Sequence, residues 1–388
     1  MKSYTIKLKD QDENSYLGYL IRKTELSAGT KKIEGPVKIS PYPNIKLGGA
    51  SQINEALITL TLKEIEDING TNPRRDAFIS DRVRAKLNKN RINVVFVRIS
   101  RSDGAGFTTL KGKIDKIAEF VIDIIYSHPM VDIVTLPHIE FLKDDSPSDL
   151  MELDNLIGNR ISDIASLGDG GGKIGYFLPS YYTRDGIPKL MDNYMDKFGA
   201  EGVYICDFDG GTFSGTGYSF VSQVSRKIKN DSGTEAYSLY AYSQKGRKKS
   251  GAEVSSEDLL ALLNEVSMVG PSHKKPTLPK HILEKIKLQQ EFNPKILNND
   301  DFLFYQYRGF SKASEFDSWV SGTVGFVGDI QLGRKRKLAE VYNARKTIEA
   351  VEQVVKDPKG TLNSLKREEF KSDLKQINSR MRRMRQFS

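Results

Sequence analysis

Val94-Val95-Phe96-Val97-Arg98-Ile99 is a run of buried-type strand residues. Leu110 to Tyr126 follows it, with Ile114, Ile117, Phe120, Val121 and Ile124 at helical spacing, and then a second apolar run, Val131-Asp132-Ile133-Val134-Thr135-Leu136. The beat continues: Ser148 to Ala165 reads as a helix, Ile174 to Leu178 as a strand and Gly186 to Phe198 as a helix. Gly202 to Cys206 is a strand, Tyr218 to Lys229 a helix, Ala236 to Tyr242 a strand, Ser255 to Leu263 a helix, and Glu265 to Val269 a last short strand. Short β runs alternating with longer amphipathic helices are βαβ units of a parallel sheet. So many units in one run, with no phosphate-loop glycine signature after the first strand, predict an α/β (β/α)8 TIM-type barrel rather than an open sheet. The eighth strand is expected from Phe302 to Tyr305 or from Val324 to Ile330.

Outside this core the pattern changes. Residues 1–90 carry short alternating stretches (Tyr4 to Leu8, Tyr16 to Ile21, Pro36 to Ile39) and a helix from Asp76 to Asn88, and are expected to form an N-terminal β-rich segment. The barrel domain is assigned to residues 91–330 and a basic helical extension to 331–388. In the extension Leu338, Val341, Ile348, Val351 and Val355 share one helical face, Asp357-Pro358-Lys359-Gly360 breaks the run, and a second helix is expected from Leu362 to Met384.

Composition sets limits on function. The chain has 388 residues, 38% of them hydrophobic and 28% charged, with 18 Phe and 17 Tyr, too aromatic for a disordered polymer. One cysteine, Cys206, excludes a disulfide framework, a Cys-rich zinc site and an iron–sulfur cluster. No apolar leader or membrane span is legible, which points to a cytoplasmic protein. The net charge is +9, and residues 331–388 alone, with 16 Lys and Arg against 7 Asp and Glu, account for all of it. A neutral body with a basic tail reads as a globular machine with a handle for a polyanion.

In a barrel the chemistry lies where strands end. Asp207 and Asp209, after the strand ending at Cys206, would alternate onto one side of an extended segment, where two carboxylates serve as nucleophile and acid/base. Gly210 and Gly211 would let a flat ligand approach. Other strand ends offer His138 and Glu140, Ser180 and Tyr181, and His273. No His or Cys spacing suits a transition metal and no nucleotide-cofactor motif is present, so neither metal nor cofactor is expected. Cations that would hold phosphates are Lys245, Arg247, Lys248, Lys274, Lys275, Arg334, Lys335, Arg336, Arg382 and Arg383.

The order of these strand ends resembles the tRNA-guanine transglycosylase superfamily, including its DNA-acting deazaguanine-inserting relatives. The resemblance rests on the strand at Val94, the loop Ser100-Arg101-Ser102-Asp103-Gly104, the strand at Asp132-Ile133, four further strands, and the late stretch Leu338-Ala339-Glu340-Val341-Tyr342-Asn343. It implies exchange of a purine for a deazapurine base in tRNA or DNA, through a covalent aspartate intermediate and a second acid/base aspartate. The family's first catalytic motif would fall at Ile79-Ser80-Asp81-Arg82, where Asp81 alone matches; Val266 to Gly270, where its nucleophile would lie, has no aspartate, and its zinc ligands are absent. On this reading Asp207 and Asp209 take the nucleophile and acid/base roles, Asp81 is a second acid/base, and the target nucleotide is flipped into the pocket. Two other readings stand beside it: a catalytically inactive nucleic-acid-binding accessory protein on the same barrel, and a small-molecule barrel hydrolase or lyase. A homodimer is compatible with the chain, which carries no readable code for one.

Overall fold

The computed structural model describes residues 4–14, 19–41, 52–70, 72–142, 144–166, 171–182, 185–209, 211–213, 217–243, 253–271, 293–324, 332–365 and 368–386. Its frame is a curled, wholly parallel sheet. In chain order the strands are β1 (Tyr4–Asn14), β2 (Tyr19–Ala28), β3 (Lys31–Glu34), β4 (Val37–Lys38), β5 (Ser40–Pro41), β6 (Ile53–Thr61), β7 (Ile92–Ser100) and β8 (Ile133–Thr135). They continue as β9 (His138–Ile139), β10 (Ile174–Pro179), β11 (Gly202–Asp207), β12 (Tyr237–Tyr242), β13 (Glu253–Ser255), β14 (Met268–Val269), β15 (Lys295–Asn298) and β16 (Leu303–Gln306). The main sheet runs β4-β14-β12-β11-β10-β8-β7-β6-β5, with β9 also on β7. Its two ends are neighbours in sequence: β4 pairs with β14 and β5 with β6.

Both faces of this sheet are covered, so every residue of β10, β11 and β12 is buried. Alternation splits the apolar residues of each strand between two cores. Val95 and Val97 face the helices, whereas Val94 and Phe96 face inward with Ile133, Phe177, Ile205, Tyr240 and Tyr242. The antiparallel meander β1-β2-β3 closes the amino-terminal end of the curl. Its Tyr4 hydroxyl donates to the Ile174 carbonyl at 2.7 Å and accepts from the Val203 N–H at 3.4 Å.

Three expectations change. The parallel sheet begins before residue 91, because β6 pairs with β7 along its whole length; Asn54 and Glu55 interrupt its apolar run and hide it. The place beside β14 is held by residues 37–39, through Val37 N–H to Ser267 O (2.9 Å) and Ile39 N–H to Val269 O (2.7 Å). It is not held by 302–305: β16 sits in a separate antiparallel sheet, β13-β16-β15, and the other candidate, 324–330, lies almost wholly outside the described residues. The helix expected over 110–126 is divided at Gly112 into Phe107–Lys111 and Ile114–Phe120, with a wide turn over Val121–Tyr126.

The basic extension is packed rather than free-standing. It forms the helices Leu332–Lys356, Pro358–Ser364 and Glu368–Gln386. Val351, Val354, Leu362, Leu365, Phe370, Leu374 and Ile377 are buried in the outer core, with the Phe370 ring 5.3 Å from Phe302. Pro358 opens its short helix and Asp357 caps it, Oδ1 accepting the Gly360 N–H at 2.9 Å. No helix among the described residues is long and apolar enough to cross a membrane.

Candidate active site

A parallel sheet presents the carboxyl ends of all its strands on one side. Asp207 ends β11 there, only 4% exposed. Beyond it the chain turns instead of staying extended: Asp209 has φ +45° and its N–H donates to Asp207 Oδ1 at 2.9 Å. The Gly211 N–H closes on the Phe208 carbonyl at 2.6 Å, and a Cβ on Gly211 would stand 2.9 Å from that oxygen. Asp207 therefore faces the curl while Asp209 is exposed on the turn, and the two are not a pair on one extended face. Gly210 lies outside the described residues.

A second carboxylate lies inside the curl on β6. Glu55 is 2% exposed and accepts the Tyr240 hydroxyl on Oε2. Gly270, just past β14, makes room for this contact: a Cβ there would run into the Tyr240 hydroxyl and reach 2.7 Å from Glu55 Oε2. We expect Gly270→Ala to cost about 1–3 kcal/mol by overpacking, read as a lowered thermal midpoint, because the added methyl would meet both the Tyr240 hydroxyl and the Glu55 carboxylate.

Arg98 of β7 completes the set. Its Nη2 is 2.9 Å from Glu140 Oε1, and Glu140 Oε2 accepts the Ser100 hydroxyl at 2.9 Å and the Arg101 N–H at 3.1 Å. Burial alone would raise the Glu140 carboxyl. Those donors and the Arg98 and Arg101 charges outweigh it and hold the group below its ordinary range. Both Glu140 oxygens are thus engaged in holding Arg98 and the strand end. Burial also drives the Tyr242 hydroxyl well above its usual pKa; Glu55 and Asp207 push it further and Arg98 opposes them, so all three charges lie within electrostatic reach of that one hydroxyl.

His138 stands beside this group. Its ring centroid is 4.7 Å from Phe177, and its Nδ1 is 3.5 Å from the Tyr181 hydroxyl. Burial first, and then the Arg98 charge, lower its pKa to about 3, so the imidazole is neutral at physiological pH. Tyr181 is held protonated by burial and by the Asp154, Asp207 and Asp209 charges around it. Ser180 is exposed, but its N–H donates to the Asp207 carbonyl at 3.0 Å.

Asp154 is buried behind this cluster on the helix Pro147–Ser166, 5% exposed, and accepts the Tyr182 hydroxyl on Oδ2 at 2.5 Å. Among the described residues its Oδ1 has no partner. Burial raises its pKa to about 7, against the lowering effect of Tyr182. The sign follows from proton linkage: between pH 4 and 7 the native state keeps a proton that the unfolded chain has lost, so stability falls as pH rises across that window. Asp154→Asn, which matches the protonated acid in shape, is expected to recover about 3–4 kcal/mol at pH 8 and nothing at pH 4. Thermal melts of both proteins across that range check it; parallel curves would show that Asp154 titrates normally.

The remaining candidates are scattered. Asp81 is exposed on the wide turn Ile79–Val83. Lys245, Arg247, Lys248, His273, Lys274 and Lys275 lie outside the described residues. Arg334, Lys335 and Arg336 fall in the helix Leu332–Lys356, and Arg382 and Arg383 in the helix Glu368–Gln386, where the backbone alone is described. The neighbouring Arg380 fixes where the last helix ends: Nη1 donates to the Tyr218 hydroxyl at 2.5 Å, with the guanidinium 5.8 Å from that ring. Tyr218 lies in the first turn of the helix Gly217–Ser232, which follows the Asp207 turn, and packs through Phe213 onto Phe208. The basic end of the chain thus borders the Asp207 loop. Among the described residues no group of three His, Cys, Asp or Glu side chains converges as a metal site requires.

Glu55, Arg98, Tyr242 and Asp154 were not legible as site residues in the sequence. The signal for the first was present: a lone glutamate at an inward position of an otherwise apolar strand, Ile53-Asn54-Glu55-Ala56-Leu57-Ile58.

No family model matches the chain, and no curated protein matches it. Among solved structures it is similar to GH26C from Muricauda sp. MAR_2010_75, at 13% identity over 63% of this chain and 80% of that one, with a TM-score of 0.34. It is also similar to a bacterial Ig-like domain containing GH10 xylanase from termite gut, at 10% identity over 91% of this chain and 89% of that one, with a TM-score of 0.26.

Proposed function

We propose that the chain is a nucleic-acid base-modifying enzyme that exchanges a purine base through displacement at Asp207, on a sheet that closes as a (β/α)8 barrel. Closure is supported by the segment 37–41, whose first half pairs with β14 and second half with β6, so that one strand joins both ends of the order. The observation that carries the functional reading is a coincidence of place. Two buried carboxylates, Asp207 and Glu55, face one curl, and the arginine-rich end of the last helix docks beside the Asp207 turn.

In this reading an Asp207 carboxylate oxygen attacks the sugar C1′ of a flipped nucleotide as its glycosidic bond to the base breaks, giving a glycosyl ester. The departing purine takes up a proton, and the incoming deazapurine, having lost one from its ring nitrogen, displaces the Asp207 oxygen. Glu55, oriented by Tyr240, is the group placed to supply and receive that proton. The neutral His138 and protonated Tyr181 are suited to hydrogen-bond a base rather than to carry charge. The polyanion is held by the helix end at Arg380 and beyond.

The test is to incubate the protein with radiolabelled guanine and either a tRNA pool or duplex DNA, and to count label in the polymer. Incorporation into one polymer supports base exchange and fixes its type. Steeply salt-dependent binding without incorporation would favour the accessory-protein reading. Neither binding nor incorporation would leave the mouth as a small-molecule site.

A further inference from the structure

Among the described residues Phe141 and Leu142 are the large apolar side chains left exposed, at 36% and 41%. They are adjacent, and they lie at the rim of the candidate site, just past β9. The loop bearing them is pinned. Asp145 Oδ2 accepts the Leu142 N–H at 2.6 Å and pairs with Arg101 Nη1 at 2.5 Å, and the Asp145 N–H returns to the Leu142 carbonyl at 3.0 Å. Arg101 is itself anchored, Nε donating to the Ala105 carbonyl at 2.7 Å. Two apolar side chains held out in water on a braced loop are unlike scattered surface leucines, and they mark a contact surface.

Phe141 is also the outermost ring of a ladder. Its centroid is 4.6 Å from Tyr181 at 31°; Tyr181 is 6.1 Å from His138, and His138 is 4.7 Å from Phe177. Phe177 is 5.6 Å from Tyr242, which stacks on Phe96 at 4.2 Å and 14°. The path runs from exposed Phe141 through half-buried Tyr181 and His138 to buried Phe177, Tyr242 and Phe96, beside Glu55 and Asp207. These tilted and edge-on contacts make an aromatic wall from the rim to the two carboxylates, and Phe141, at its outer end, is the ring with a face open to a flat partner.

Resting on the function proposed above, we infer that Phe141 and Leu142 form a stacking platform for a nucleobase next to the one that enters the site. The charge pattern favours a polynucleotide over a neutral polymer of rings, because the arginine-rich helix end borders the same mouth. Stacking on Phe141 would hold the unstacked strand open while its neighbour occupies the curl, with Leu142 as the apolar edge of the platform.

The experiment uses the full chain and a fluorescein-labelled single-stranded 20-mer of mixed sequence, titrated across a salt series with wild type, Phe141→Ala and Phe141→Trp. Phe141→Ala is expected to weaken binding by roughly 5- to 100-fold with an unchanged salt slope, since a base–aromatic stack carries no charge. Phe141→Trp is expected to bind at least as tightly as wild type, with indole emission quenched on binding beyond any change in the native Trp319. Phe141 is exposed, so equal thermal midpoints will show that the variants fold. If wild type binds the 20-mer and Phe141→Ala binds equally well, the platform is overturned while the functional reading survives. If wild type does not bind the 20-mer, the platform falls, and incorporation of guanine into tRNA or duplex DNA decides the functional reading separately. Quenching of Phe141→Trp by a xylan hexasaccharide and not by the 20-mer would overturn the nucleobase platform in favour of a sugar subsite.

Discussion

Replacing Asp207 with Asn is expected to lower base exchange by at least about 1,000-fold while leaving polynucleotide affinity unchanged. The substitution keeps the shape and the Oδ1 acceptor that the Asp209 N–H needs, so the turn after β11 survives. It removes the anionic oxygen that would form the bond to C1′. Loss confined to turnover is the signature of a group that acts in the transition state and not in ground-state binding. Glu55→Gln should fall by about 100- to 10,000-fold, the usual worth of a positioned proton donor or acceptor. Its loss should also depend on pH differently, because the amide can still accept the Tyr240 hydroxyl but cannot transfer a proton. Asp209→Asn and Asp81→Asn are the controls: one side chain is exposed on a turn, the other on the outer helices, and both variants should retain full turnover. A single-turnover assay with rapid quench reads these outcomes. If Asp207→Asn turned over at the wild-type rate, the displacement at Asp207 would be excluded.

Half of this arrangement is readable in the sequence, and the division has a physical cause. Strands buried on both faces, such as β7, β10 and β11, announce themselves as unbroken apolar runs between helices of clear period. The residue that ends such a strand can then be placed by counting, as Asp207 is. Strand β6 escapes because Asn54 and Glu55 break the apolar run that would have revealed it. The segment 37–41 escapes for a different reason, being too short to show a period and split at Ile39 between two partners. The Asp207–Asp209 spacing misleads because alternation holds only while the strand continues, and a positive φ two residues past Asp207 ends it. Arg98 and Glu140 show a further limit. Either alone reads as a surface charge, and nothing in their spacing tells that one orients the other.

Removing residues 366–388 is expected to unfold the protein or leave it aggregated, not merely to weaken its hold on nucleic acid. Counting charge gives this segment one role, that of a basic handle, and the packing gives it a second. Phe370, Leu374 and Ile377 line one face of the helix Glu368–Gln386 and are buried against the outer core. Ser255 donates to Asp373 Oδ2 at 2.7 Å, tying the same helix to β13. Truncating Phe370 alone to Ala should cost about 3–5 kcal/mol, and Leu374 about 2–5 kcal/mol. Together these rival the whole stability of a typical domain, about 5–15 kcal/mol. A truncated chain that failed to bind would therefore say nothing about the arginines. The two roles separate because they use different ends of the helix. Phe370→Ala should lower the thermal midpoint sharply and leave the salt slope of binding in the surviving folded fraction unchanged. Arg382→Glu with Arg383→Glu should leave the midpoint in place and flatten that slope by about one unit for each phosphate no longer neutralised. Melting curves and salt-series binding on the two variants decide it. An unaltered slope with the charge reversal would show that the basic helix end is not where the polyanion is held.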